Sequence, residues 1–573
     1  MAITQRHSGS SGSDAARAEL GGKSEYATGV HSEPIIAADG VVVYKDHAHL
    51  HRGLKSRHIT MIAIGGAIGT GLIVGTGKAL AQSGPASILI SYALVGLLVY
   101  VVMCGLGEMA AWLPHASGFS GYATRFVDPA LGFSLGWTYW CKYIITTPNQ
   151  LTASALIIQY WVDPKKVNPG VFIFIFLAVI CAVNYFGIKF FGELEFWLSS
   201  IKVVVIVGVI FLSFLLAVGA GPAKATGFKY YKNPGAFAPY IAKGATGKFF
   251  GFWSSFVNAV FAYLGTELIG VTVGEAQNPR KTIPRAIKLT FYRILFFYVL
   301  SVFFLGMLIP YNHERLIAAN SKKIGGAAAS PFVLAVKIAG IKYLDHIINA
   351  CILIFTFSAS NSDLYIASRT MYGLADRGHA PKIFKWTDSR GVPVPALAIS
   401  ALFCCSAFMN AAQDSATVFS YFVNLTTIFG LMAWISLLVS HIWFVRARKA
   451  QGITDEMMPY VAPFGMWGSI IGLFFCCLIA LTKNFNVFTH NKTYGKFDYK
   501  NFITGYLGIP VYLICIFGYK FTTGSKGVKP HEADFYTGKD EIDREEEAFL
   551  AFQAATRGDK PTKGWYKFIS WLF

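Results

Sequence analysis

Met61-Ile62-Ala63-Ile64-Gly65-Gly66-Ala67-Ile68-Gly69-Thr70-Gly71-Leu72-Ile73-Val74-Gly75 is an apolar stretch with more glycine than an uninterrupted helix tolerates. Each interior glycine costs a helix roughly 1 kcal/mol relative to alanine. Unwound backbone survives at membrane depth only where it faces protein or a watery cavity. The stretch is therefore expected to be a helix break whose free N–H groups and half-helix dipole hold an anionic group such as a carboxylate. A close-packing seam of small residues is the alternative, and it leaves Thr70 without a purpose.

The surrounding chain is a membrane protein. Of its 573 residues 54% are hydrophobic and only 14% charged, where a soluble domain carries about 25% charge. Apolar runs near 20 residues long give about twelve candidate spans. Their centres lie near residues 70, 97, 146, 178, 207, 262, 297, 356, 402, 432, 473 and 511. Residues 1–50 are polar and read as a disordered tail without a signal-peptide core. Residues 51–521 form the membrane domain, and 522–573 a second polar tail with an acidic run, Asp540 to Glu547.

An even number of spans puts both tails on one side. Basic clusters mark that side as cytosolic: His51 to His58, Arg280 to Lys288, Arg369 to Arg390, and Arg446 to Lys449. Lys224, Lys229, Lys232, Lys243 and Lys248 fall in longer opposite loops, which weigh less. The net charge of +19 then needs no nucleic acid, because basic flanks facing anionic lipid account for much of it. The nine cysteines lie in or beside apolar spans without metal spacing and are expected to be packing thiols.

Span six repeats the theme of span one. Phe261-Ala262-Tyr263-Leu264-Gly265-Thr266-Glu267-Leu268-Ile269-Gly270 is again interrupted by glycine and polar residues and carries a carboxylate. Broken first and sixth helices are what a five-plus-five inverted repeat sets opposite each other at the midplane. Ionisable residues at membrane depth are functional candidates by default: Glu108, Lys142, Lys202 and Glu267. The competing role is buried pairing that only holds helices in register. Arg293 and Asp363 are expected nearer the cytosolic edge, snorkelling or paired locally.

These features together resemble the fungal amino-acid permeases of the amino acid–polyamine–organocation superfamily, from about His51 to about Tyr519. Gly65 to Gly71 resembles the family's first break. Ser83-Gly84-Pro85 through Gly107-Glu108-Met109-Ala110 to Pro114 is similar to its signature. Phe261 to Gly270 resembles the second break, and Gly274 to Lys281 the loop after it. Thr147-Pro148-Asn149-Gln150-Leu151-Thr152-Ala153 and Phe502-Ile503-Thr504-Gly505-Tyr506 look most like the dicarboxylic members.

The resemblance implies an all-α fold of twelve membrane helices: the inverted repeat plus two more. It implies proton-coupled import of amino acids at the plasma membrane, acidic ones favoured, with no cofactor. The amides of Gly69, Thr70 and Gly71 and the Thr70 hydroxyl then sit where the family binds the cargo carboxylate. The carbonyls of Ala67, Phe261 and Leu264 sit where it binds the ammonium. Asn149, Gln150, Tyr263, Thr266 and Glu267 are the side chains expected to read the cargo. Lys202 matches a lysine that replaces a bound sodium in proton-coupled relatives, so it is expected to be the coupling group, with Glu267 assisting. Lys142, roughly 7 Å along its helix from Thr147, is expected to compensate an acidic side chain.

Other functions compete. A permease for neutral or many amino acids shares every feature above. A sensor on the same fold would bind without transport; the short tail before His51 argues mildly against it. An enzyme finds no paired acid and base or nucleophile, and a pump finds no phosphate-cradling Gly-x-x-x-x-Gly-Lys-Ser/Thr. Asn491-Lys492-Thr493 is a glycosylation sequon in an expected outer loop. Lys23 and Lys45 are candidate acceptors for ubiquitin ligase machinery.

Overall fold

The computed structural model describes residues 35–36, 42–43, 61, 68–114, 118–222, 224–268, 279–320, 330–411, 415–489 and 497–556. Two strands, β1 (Ile35–Ile36) and β2 (Val42–Val43), pair antiparallel within the N-terminal tail. Everything else described is helix and connection. A π-helical turn, Gly71–Gly75, leads into α1 (Thr76–Ser83). There follow α2 (Pro85–Trp112), α3 (Gly118–Phe126), α4 (Pro129–Ile158), α5 (Pro169–Tyr185) and α6 (Ile188–Val218). Next come α7 (Gly244–Tyr263), α8 (Pro279–Arg293), α9 (Leu300–Leu308), α10 (Glu314–Asn320), α11 (Pro331–Ile338) and α12 (Leu344–Asp376). The chain finishes with α13 (Val394–Cys404), α14 (Ser415–Ala450), α15 (Gly465–Thr482), α16 (Tyr499–Tyr506), α17 (Gly508–Thr523) and α18 (Lys539–Thr556).

Each of the twelve expected span centres falls in a helical segment. Six described helices are long and apolar enough to cross a membrane unaided, and α16 with α17, bent by 44°, makes a seventh. The spans that fail that test include one, three and six. The first and sixth are interrupted, and α4 carries Lys142, Thr146, Thr147, Asn149 and Gln150 on its buried face. Helices that build a polar interior lose the apolar signature of a simple span.

Helix starts are written locally. Asp128, Asn168 and Ser330 each accept a backbone N–H two residues on, from Ala130 (2.8 Å), Gly170 (2.8 Å) and Phe332 (3.3 Å). Each is followed by proline at the first helical position, where no donor is lost. Inside α4, Pro148 removes one rung of the helix ladder at the depth of the polar side chains. Along the same face Thr146, Thr147 and Ser154 return their hydroxyls to the carbonyls of Lys142, Tyr143 and Gln150. α4 packs lengthwise between α12 and α14, which puts this face at the centre of the bundle.

The polar C-terminal stretch does not hang free. Phe535 is fully buried, with its ring 5.1 Å from Phe126 and 5.3 Å from Phe444. Its carbonyl accepts from the Trp112 indole at 3.0 Å. Gln451 donates to the carbonyls of Pro530 and Ala533, and Arg280 pairs with Glu546 at 3.0 Å. Deleting a buried phenylalanine side chain costs about 3–5 kcal/mol. Phe535→Ala should therefore lower the melting temperature of the purified protein and speed proteolysis after residue 523. Unchanged digestion would show that the contact contributes nothing.

Candidate functional site

Both expected interruptions bear on one place. In the first span Ile68 and Gly69 are bends, helix begins at Thr70, and a π-helical turn covers Gly71–Gly75, while residues 62–67 lie outside the described residues. In the sixth, α7 ends at Tyr263, Leu264 turns extended (φ −62°, ψ 136°), and Gly265 adopts φ +103°. A short 3-10 turn, Thr266–Leu268, follows. Gly265 occupies backbone space that side-chain-bearing residues avoid. The π-helical turn touches the interrupted sixth span at Gly71, where an added Cβ would lie 2.4 Å from the Ala262 Cα. No side chain fits there.

Between them lies a cavity of about 20 Å³. Gly69, Thr70 and Gly71 supply one wall, and Phe261, Leu264 and Gly265 another. α4 contributes Lys142, Tyr143, Thr146 and Gln150, and α12 contributes Asp363. The Thr70 hydroxyl and the Gln150 Oε1 are buried there without a hydrogen-bond partner. A buried polar atom left unpaired costs about 1–3 kcal/mol. Two of them face one void, an arrangement a polar ligand would satisfy. The void admits water but not an amino acid, so helices must part to load it.

Lys142 is nearly inaccessible and forms an ion pair with Glu267. Its ammonium also lies over the rings of Tyr143 (4.6 Å) and Tyr139 (5.1 Å). Glu267 in turn accepts from the Gly265 N–H at 3.1 Å and from the Trp434 indole at 3.4 Å. The pair thus ties α4 to the second break. Removing one partner of such a buried pair costs about 3–5 kcal/mol.

Of the five side chains expected to read the cargo, Gln150 is the one on the cavity wall. Asn149 is fully buried beside it, its amide atoms unpaired. Tyr263 is turned away, stacked on Tyr298 at 4.3 Å and donating to the Tyr92 carbonyl at 2.9 Å. The reason is its place as the last residue of α7, before the chain changes direction. Thr266 donates back to the Tyr263 carbonyl (3.0 Å), satisfying a group freed by the break. Glu267 stands behind the wall, gripping Lys142. Ala67 lies outside the described residues, as do Lys23, Lys45 and Asn491.

Lys202 is fully buried on α6, its ammonium 3.8 Å from the Glu195 carboxylate. Glu195 accepts from Ser199 (3.2 Å), Ser358 (2.5 Å) and Asn361 (3.5 Å), which joins α6 to α12. Glu195 was not foreseen; its spacing of seven residues from Lys202 puts both on one helix face, and that was the available signal. Asp363 departs from the expectation of an edge position. α12 is 33 residues long, about 50 Å by rise, so Asp363 lies near its middle instead. Glu108 sits apart, against His441 (3.1 Å), Arg448 (3.6 Å) and the Ala462 N–H (2.9 Å); it holds helices in register.

A family model described as amino acid permease matches residues 58–529. The chain is 53% identical over 505 residues to the dicarboxylic amino acid permease of Saccharomyces cerevisiae, an alignment covering 88% of this chain and 82% of that one. It is 39% identical to the proline-specific permease of Emericella nidulans over 504 residues (87% and 90% covered). It is 38% identical to the lysine-specific permease of S. cerevisiae over 491 residues (85% and 78% covered). Among solved structures, a mutant of the Eremococcus coleocola manganese transporter aligns with TM-score 0.53 and 12% identity, covering 82% of this chain and 93% of that one. Identity that low conveys the fold alone.

The Gly71 contact gives a direct test. Overpacking a tight contact costs about 1–3 kcal/mol, so Gly71→Ala should lower cargo binding about tenfold, tenfold being 1.4 kcal/mol. Binding to purified protein measures this, and wild-type affinity in the variant would remove the apposed breaks from the site.

Proposed function

This chain belongs to the amino acid permease family, and on that premise we propose that it imports acidic amino acids, glutamate and aspartate, by proton symport across the plasma membrane. The observation that carries the reading is the cavity between the two breaks, with an unpaired Thr70 hydroxyl on one side and the Lys142 ammonium on another. Backbone amides around Thr70 and Gly71 suit the α-carboxylate, and the carbonyls of Phe261 and Leu264 suit the α-ammonium. Both groups are shared by every amino acid, so backbone can hold them without regard to the side chain.

The acidic preference rests on Lys142. An unpaired carboxylate is costly to bury, and among the described residues Lys142 is the sole cation in the cavity wall. The greater identity to a relative named for dicarboxylic amino acids than to those named for proline and lysine supports the same choice. A cargo carboxylate reaching Lys142 competes with Glu267 for the ammonium. Displaced from Lys142 in this way, Glu267 assists the coupling of cargo to proton. Lys202 is the main coupling group: an ammonium buried between α6 and α12 that can lose and regain its proton as those helices move apart and together. Both termini face the cytosol in this reading, with Lys23 and Lys45 available to ubiquitin ligase machinery.

Uptake of labelled glutamate in a transport-deficient yeast tests the proposal. Unlabelled glutamate and aspartate should compete while glutamine, leucine, proline and lysine do not, and a protonophore should abolish accumulation. Equal competition by glutamine or leucine would make the chain a broad permease instead; binding without uptake would make it a sensor. Lys142→Ala should abolish aspartate uptake, and intact uptake sinks its role as counter-charge. Lys202→Met should flatten the dependence of uptake on pH; a wild-type profile would take Lys202 out of the coupling.

A further inference from the structure

We propose that Asp363 is a proton-binding residue of the transport cycle, which takes up and releases one proton as cargo is moved. The inference rests on the proton-symport reading and adds to it a residue that neither motif nor resemblance singled out.

The starting point is a charge count. Around the cavity, two ammonium groups, Lys142 and Lys202, face three carboxylates, Glu195, Glu267 and Asp363. Lys142 pairs with Glu267, and Lys202 with Glu195. Asp363 is left over. It is 7% exposed, lines the cavity, and its Oδ2 makes no hydrogen bond. An ionised carboxylate with no ion pair of its own is costly to bury, and binding one proton removes that cost. The fifth member of the cluster therefore has a reason to exchange a proton whenever its surroundings change.

Those surroundings are set by groups on every element packed around it. α4 presents Lys142 and Gln150, with Tyr139 and Tyr143 close by. α6 presents Lys202 and Glu195, α13 presents Cys404, and α12 itself carries Arg369 one and a half turns on. Both lysines act on Asp363 electrostatically, so its charge state registers what each is doing. When a cargo carboxylate engages Lys142, that ammonium is drawn away from Asp363, and the proton becomes the carboxyl's remaining source of neutrality. The chemistry is one O–H bond formed on Asp363 on the outward side and broken toward the cytosol, with no change in electrons. The Lys202 ammonium beside it disfavours a sodium ion at the same place.

Glutamate uptake and glutamate counterflow, measured side by side in vesicles at a series of pH values, test this. Where a carboxyl must be protonated for transport, uptake changes about tenfold per pH unit. The wild type should show that limb. Asp363→Asn should lose it together with protonophore-sensitive accumulation, while counterflow, which needs no net proton movement, remains measurable. Retained proton-driven accumulation in Asp363→Asn overturns the proposal. So does loss of counterflow in a variant present at the membrane, because Asp363 would then be gripping the cargo ammonium. Should Asp363→Asn fail to reach the membrane, Asp363→Glu decides: a displaced pH limb supports the assignment, and an unmoved one refutes it. Wild-type uptake that ignores pH or follows sodium defeats the proton-symport reading itself, a result distinguishable from failure of Asp363 alone.

Discussion

A peptide group without a partner cannot face lipid, and the whole arrangement follows from how this chain meets that constraint twice. Among the described residues the sixth span stops at Leu264 and Gly265, and the π-helical turn of the first span lies against it, with Gly71 on the backbone of Ala262. The helices on either side are bent to this requirement. α4 and α12 pack along one another to close the back of the cavity, and α14 closes α4 from the other flank. The polar side chains of α4 face inward because the breaks make that interior polar.

The charged groups form a second layer around the first. Lys142 with Glu267 ties α4 to the second break, and Lys202 with Glu195 ties α6 to α12 through Ser358 and Asn361. Such pairs contribute little net stability against well-packed apolar residues. They do make helix positions depend on charge state. A carrier needs such dependence, since cargo must alter which way the bundle opens.

Much of this was legible in the sequence, and the failures have a common cause. Glycine with a carboxylate announced the break at Gly265 to Glu267, because it violates helix propensity in place; of the glycine-rich first stretch, the described part shows a π-helical turn over Gly71–Gly75. Lys142 was legible as a charge where charge is expensive. Which side chains face the cavity was not. Tyr263 and Thr266 belong to the interrupted segment, yet the turn at Leu264 and Gly265 swings them toward α2 and the freed carbonyls. Asp363 was misplaced because hydropathy centres a span on its most apolar window, whereas α12 runs well beyond it. Partner choice, Lys142 with Glu267 across 125 residues of chain, depends on helix rotation, and one sequence does not encode that in any local pattern.

The buried Phe535 gives the end of the chain a role in its solubility. Trp112, Phe126 and Phe444 are covered by Phe535, which the chain supplies only after α17. Without the segment after α17, Trp112, Phe126 and Phe444 would lose the ring that covers them. The surface chemistry of the folded carrier thus depends on a segment outside its membrane helices.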